Sequence, residues 1–311
     1  MSELTFIEVD PVDETPAAHV GIGAAPPAPR RGRVLRRLIR QPFAVAAIVF
    51  LAVVVVAAIF APWLAPHDPN QQDLLVRLQG PSADHWLGVD DFGRDQLSRL
   101  IHGARVSLTA SVQAVAIGGI IGVVLGMLAG YAGGRLDGLL GRSIDVLMAL
   151  PGLLFAITVV TVLGPGLTNA MIAVGVLLIP PFFRVARAST QSVREETYIE
   201  ASRALGCRTR RIVTRHILPN MLAPVLVQVS ILLGLAITIE ASLSFIGLGA
   251  QPPTATWGSM LSTANSFMGD APHLVYVPGA MIALTVLAFS LVGDGLSKAF
   301  GTTRVAVGER R

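Results

Sequence analysis

Apolar residues arrive in six long runs separated by polar or basic segments, at positions 43–64, 106–131, 144–163, 169–183, 223–248 and 274–292. A helix crossing about 30 Å of hydrocarbon at about 1.5 Å per residue needs roughly 20 such residues. The pattern therefore predicts an all-α membrane protein with about six transmembrane helices. The fourth run is the shortest, because Pro180 and Pro181 are expected to end it. Pro151 in the third run and Pro224 in the fifth are expected to kink or delimit their helices and are candidate gating elements.

The second run carries Gly118, Gly122, Gly126, Gly130 and Gly134 at an unbroken four-residue spacing. Such a ridge lets backbones approach closely, and van der Waals packing of this kind holds helices together in lipid. It serves either packing within one subunit or an interface between two. Glu240 is the acidic residue that falls clearly inside a run, away from its ends. A central charge costs about 2.5–3.5 kcal/mol on insertion scales, so it needs a partner or water. Glu240 and Gln228, on the same helix, are the candidate pathway residues; the other reading of Glu240 is a structural carboxyl near the outer face.

Charge sets the orientation. Arg30, Arg31, Arg33, Arg36, Arg37 and Arg40 precede the first run, and eight arginines from Arg184 to Arg215 lie between the fourth and fifth. Basic residues are retained on the cytoplasmic side, so both segments are expected inside, with both termini cytoplasmic. The turn at 164–168 and the segment 249–273 contain no Arg or Lys. The loop 65–105 has four Arg and six Asp and is expected outside.

Composition agrees with this picture. Of 311 residues 52% are hydrophobic and only 14% charged, too little polar surface to coat a soluble globule. The net charge of +4 sits beside apolar runs, where lipid headgroups account for it better than nucleic acid does. Cys207 has no second cysteine to pair with and reads as structural. Residues 1–29 lack the order of a secretory signal and are expected to be a disordered cytoplasmic tail. Segments 30–105 (basic stretch, first helix, outer loop), 106–300 (transmembrane domain) and 301–311 (cytoplasmic tail) complete the expected organisation.

Between the fourth and fifth runs, Tyr198, Ala201, Ser202 and Leu205 fall at i, i+3, i+4 and i+7, the spacing of a short amphipathic helix. Gly206 suits a left-handed helix end, and a second basic helix is expected to run to Pro219 at the entry to the fifth span. An apolar stripe projecting into the cytoplasm implies a docking partner.

Glu200-Ala201-Ser202, Gly206 and Leu218-Pro219 resemble the EAA loop of ATP-binding-cassette (ABC) importer permeases, E-A-A-x3-G-x9-I-x-L-P, with Ser202 at the third small position and His216 where the pattern has Ile. DHWLGVDDFGRDQLSRLIHGARVSL at 84–108 and SLSFIGLGAQPPTATWGSML at 242–261 resemble the C-type permease subunit of dipeptide, oligopeptide and nickel importers. The resemblance implies a type I ABC importer permease fold, with Tyr198, Glu200, Ala201, Ser202, Arg203, Leu205, Gly206 and Pro219 in the loop that couples to an ATPase. It implies a second, B-type permease, two ATP-binding subunits, a solute-binding protein and a bacterial inner-membrane location. No cofactor is expected on this chain, since ATP and Mg belong to the partner subunits, and no phosphate-binding G-x4-G-K-[ST] is present. The expected function is half of an ATP-driven pathway for dipeptides or oligopeptides, and the chain is expected not to be an enzyme. Nickel or another small solute of the same family is the alternative. A secondary transporter would show paired broken helices with several buried ionisable groups, and an intramembrane enzyme a nucleophile or metal constellation.

Asp91-Phe92-Gly93 matches a kinase tripeptide without the accompanying motifs, and VDDFGRD lacks the spacing of a calcium loop. Those aspartates are expected instead to cap the helix containing Leu97, Leu100 and Ile101. His67, His85, His102 and His273 show no zinc-enzyme spacing and are expected to be surface residues outside the membrane, with no metal site.

Overall fold

The computed structural model describes residues 31–301. The expected tail 1–29, and the expected tail 301–311 beyond its first residue, lie outside them. The helices are α1 (Arg31–Ile39), α2 (Pro42–Ile59), α3 (Ala61–Leu64), α4 (Gln96–Ala132), α5 (Gly134–Ala149), α6 (Gly152–Leu163), α7 (Leu167–Leu177), α8 (Ile179–Arg194), α9 (Thr197–Ala204), α10 (Thr209–Ile212), α11 (Leu218–Phe245), α12 (Trp257–Ser266) and α13 (His273–Phe300). Among the described residues, five continuous stretches are long and apolar enough to span a membrane, or six if the pair α5 and α6, bent by 87°, is one span.

Two boundaries differ from expectation, each for a local reason. The second span, expected to begin at 106, is continuous with the helix expected over Leu97, Leu100 and Ile101 and begins at Gln96, where Asp95 caps it as expected by accepting a hydrogen bond from the Ser98 amide at 2.7 Å. A boundary at 105/106 would therefore cut a helix. Pro180 and Pro181 do not end the fourth span: they occupy the first turn of α8, where the missing N–H costs nothing, and the helical stretch that holds the span continues from Leu167 to Arg194. Pro151 delimits a helix as expected: it stands between α5 and α6 as the N-cap of α6, and the third run bends there. Pro219 stands in the first turn of α11, at the expected entry to the fifth span, although the chain runs into that helix without a break. The π-helical segment Val213–Ile217 joins α10 to α11, and this wider turn carries the chain through a proline that cannot donate. Pro224 lies inside α11 without dividing it.

α4 is the central strut, and it packs against α2, α7, α8 and α11. At about 55 Å it exceeds the hydrocarbon thickness by nearly a factor of two, so its polar first turns, ahead of the apolar run, stand outside the apolar layer. Its glycine ridge meets α8 and its neighbour α7 within the same chain. A Cβ on Gly118 would lie 2.7 Å from the Gly175 carbonyl oxygen, on Gly122 2.5 Å from that of Ile179, and on Gly130 2.7 Å from that of Arg187; one on Gly126 would strike the Phe183 carbonyl. Four glycines thus face four carbonyls spaced four residues apart, one on α7 and three on α8. Gly134 leaves the ridge, because Gly133 with φ +66° has already ended α4.

The basic elements gather at one end of the bundle. At that end Arg37 Nη1 donates to Ala299 O at 3.5 Å and Gln41 Nε2 to Gly295 O at 3.4 Å, which holds α1 against the end of α13. Arg194 Nη1 donates to Gly130 O and Tyr131 O at 3.3 and 3.0 Å, closing the end of α4 with a positive charge where its dipole is negative. Arg187 grips Asp137 through a two-pronged contact of 2.5 and 2.6 Å, and Arg184 reaches Asp145 at 3.2 Å, so α5 lies along α8 by ion pairing.

Candidate functional site

The hairpin between α8 and α11 sits at this basic end. Ile199 on α9 is fully buried, clustered with Ala186, Ile212, Ile217 and Met221. That one side chain, rather than the stripe Tyr198, Ala201, Ser202 and Leu205, anchors the helix. Of the stripe, Tyr198 and Ser202 are half-buried and Ala201 is exposed, while Leu205 is 84% exposed. The spacing located the helix correctly but not its inward face. An eight-residue helix is too short for periodicity to separate an anchor from an outward patch, and the burial of Ile199 depends on residues up to 22 positions away.

Local contacts make the hairpin stiff. Ser202 Oγ donates to the Tyr198 carbonyl at 2.7 Å, the Arg203 guanidinium stands 5.3 Å over the Tyr131 ring, and the Tyr198 and His216 rings are 5.7 Å apart. Burial, and secondarily Glu196, push the Tyr198 phenol above its ordinary pKa, so it stays protonated. Gly206 adopts φ +76° and donates to Arg203 O at 2.9 Å, while the Cys207 amide donates to Ser202 O at 3.0 Å. This left-handed closure is the one a glycine permits without strain. Glu200 lies exposed in the first turn of α9, near the positive end of the helix. His216 stands half-buried against Tyr198, and Ile217 fills the core. Glu200, Ala201 and Leu205 are thereby left facing away from the body of the protein, while exposed Arg203 reaches back to Tyr131 on α4.

Glu240 and Gln228 are not brought together. Twelve residues of α11 put them about 18 Å apart along the axis. Glu240 is fully buried, accepts from Ser244 Oγ at 2.7 Å, and faces the hydroxyls of Ser107 and Thr256. It borders none of the apolar clefts. Thr256 and Ser259 form a capping box that starts α12, a helix the hydropathy pattern did not single out. Trp257 is fully buried beside it, with its amide donating to Ser107 Oγ at 3.2 Å and its indole N–H to Leu100 O at 3.1 Å. Glu240 thus closes a polar knot joining α4, α11 and α12. The T-x-x-S spacing at 256–259 was the available signal for α12.

Two open apolar clefts flank α8. One, about 410 Å³, lies at the α5–α6 bend and includes Leu150, Leu177, Pro181 and Ile239; the other, about 510 Å³, lies between α4 and α11 and includes Gly119, Phe182 and Val229. Half-buried Gln228 borders neither.

Comparison with known proteins gives this geometry a context. A family model described as "Binding-protein-dependent transport system inner membrane component" matches residues 122–303, and one described as "N-terminal TM domain of oligopeptide transport permease C" matches 30–81. The glutathione transport system permease protein GsiD of Escherichia coli O6:K15:H31 (strain 536) is 48% identical over 265 residues, covering 85% of this chain and 88% of that protein. GsiD of Shigella boydii serotype 4 (strain Sb227) matches to the same extent. Among solved structures, the inward-facing MetNI methionine ABC transporter superposes with a TM-score of 0.54 at 19% identity, covering 66% of this chain and 97% of that one. That likeness establishes the fold.

Proposed function

Because this chain belongs to the family of binding-protein-dependent transport system inner membrane components, we propose that it is one of two permease subunits of an ATP-driven importer and that α9 is its coupling helix. The observation that carries the proposal is the outward face of α9. Ile199 fixes the helix to the body, while Ala201 and Leu205 stand exposed on a stiff, arginine-rich hairpin at the end of the longest helix. Apolar side chains held out in this way are complementary to a groove on another protein. A nucleotide-binding subunit seated there would move α9 and, through Ile199, the ends of α8 and α11. Tyr198, Ser202 and Arg203 keep the lever rigid, Gly206 closes it, and Pro219 with the π segment makes its motion continuous with α11.

The arginine distribution supports a cytoplasmic hairpin and cytoplasmic termini. ATP and Mg are held by the partner subunits, and solute arrives from a binding protein at the opposite end. The solute class we propose is a short peptide: a dipeptide, an oligopeptide or the tripeptide glutathione, the last supported by the 48% identity to a glutathione permease. Purification of the chain from its native membrane with a mild detergent is expected to bring two ATPase copies and a second permease with it. Uptake of labelled peptide by the reconstituted complex should require ATP and binding protein. Uptake by the chain alone, driven by an ion gradient, would overturn the proposal.

A further inference from the structure

At the end of α4 opposite the hairpin, the loop joining α3 to α4 brings together three side chains that are distant in sequence. His85 Nδ1 lies 2.9 Å from Asp95 Oδ1, His67 Nδ1 lies 3.8 Å from the same oxygen, and one ligand atom from each residue fits within 4.8 Å of the others. The two imidazoles, expected at the surface, are half-buried with ring centroids 4.7 Å apart; the Asp95 carboxylate is 1% exposed. Each is held by its backbone or its second oxygen. The His67 amide donates to Ser98 Oγ at 3.1 Å, the His85 amide to Ser82 Oγ at 3.1 Å, and Asp95 Oδ2 accepts from the Ser98 amide at 2.7 Å.

From this arrangement we propose that His67, His85 and Asp95 form a binding site for a zinc-like divalent transition-metal ion. Three observations support it. His67 Nδ1 is buried without a hydrogen-bond partner and faces an oxygen too far away to bond directly. Tetrahedral zinc with bonds of about 2.0–2.1 Å sets its ligand atoms about 3.3 Å apart, and the separations of 2.9 and 3.8 Å from Asp95 Oδ1 bracket that edge. The surrounding cleft, about 420 Å³, is also lined by Asp73 and Asp84 and by no Arg or Lys, so its field favours a cation. Two nitrogens and one oxygen suit zinc, whereas calcium and magnesium take oxygen ligands. Water completes the fourth position. The ion would tie the segment after α3, the middle of the loop and the first turn of α4 into one unit. The competing reading is a plain His85–Asp95 hydrogen bond with His67 stacked beside it.

Metal stoichiometry tests the site independently of any transport assay. The full chain, with a histidine-free tag and in lipid nanodiscs, is titrated with zinc chloride against a chromophoric chelator. One zinc per chain is expected, with cobalt(II) in the same site giving the intense ligand-field absorption of a four-coordinate ion. His67→Gln removes a ring nitrogen that makes no hydrogen bond, and Asp95→Asn keeps a competent helix cap. Each is expected to weaken zinc binding about 100-fold or more, beyond the ~10–100-fold typical of lost outer-shell partners. His102→Gln serves as a control and should bind as the unaltered chain does. Absence of stoichiometric zinc, or zinc binding that survives both His67→Gln and Asp95→Asn, would overturn the proposal.

Discussion

A glycine's worth in this protein is set by what stands opposite its missing side chain. Gly122 faces the Ile179 carbonyl and the Phe182 Cβ, so a methyl there forces two helices apart. Gly122→Ala is expected to cost about 1–3 kcal/mol, read as a lower melting temperature in detergent. Gly138 on α5 has nothing within 4 Å of an added Cβ, and Gly138→Ala should be neutral or stabilise by up to about 1 kcal/mol through helix propensity. Glu240 poses a similar question of context. Glu240→Gln preserves volume and the Ser244 contact, so peptide uptake should persist. Glu240→Ala leaves the surrounding hydroxyls facing a void and should cost about 2–3 kcal/mol in the same melt. Loss of uptake in a well-folded Glu240→Gln protein would instead place that carboxyl in the pathway.

Among the elements, α9 combines one inward anchor with an outward patch. Ala201→Glu puts a charge on the exposed face without touching Ile199, so the helix should remain folded while ATPase stimulation by solute-loaded binding protein falls at least tenfold. Gly206→Pro acts differently: it removes the amide that bonds Arg203 O and cannot reach φ +76°. Uptake should be lost there as well, with the spans still inserted. Normal transport by either variant would remove α9 from the coupling role. The helix and its glycine end were legible from spacing and from one left-handed residue. Its anchor was not, because Ile199 is defined by Ile212, Ile217 and Met221, which a window of a single helix does not contain. The same limit hid the course of the fourth span. Pro180 and Pro181 break a helix interior but are tolerated in a first turn, and Leu178 supplies the junction that puts them there.

For the whole molecule, α4 separates two ends of different character, with arginine-rich contacts at one and the His67–His85–Asp95 cluster at the other. Sidedness can be read with single cysteines in a Cys207→Ser background. Leu75, 96% exposed in the outer loop, and Leu205, 84% exposed on the hairpin, are suitable positions. Leu75→Cys should react with an impermeant maleimide in intact cells, and Leu205→Cys only after permeabilisation. The reverse pattern would invert the molecule and sink the coupling proposal with it.

Hydropathy and charge are properties of segments, and a membrane reads them segment by segment. The sequence alone therefore determined the helical class, about six crossings, the basic end and the resemblance that led to the family. Contacts between distant segments required the fold. The partner of the glycine ridge lies some 60 residues along the chain, and Trp257 meets Ser107 across 150. The grouping of two histidines with a helix-capping aspartate depends on how a 31-residue connection between α3 and α4 doubles back. No local pattern encodes such approaches, because they follow from close packing of the whole bundle, where each helix's neighbours are chosen by shape as well as by sequence.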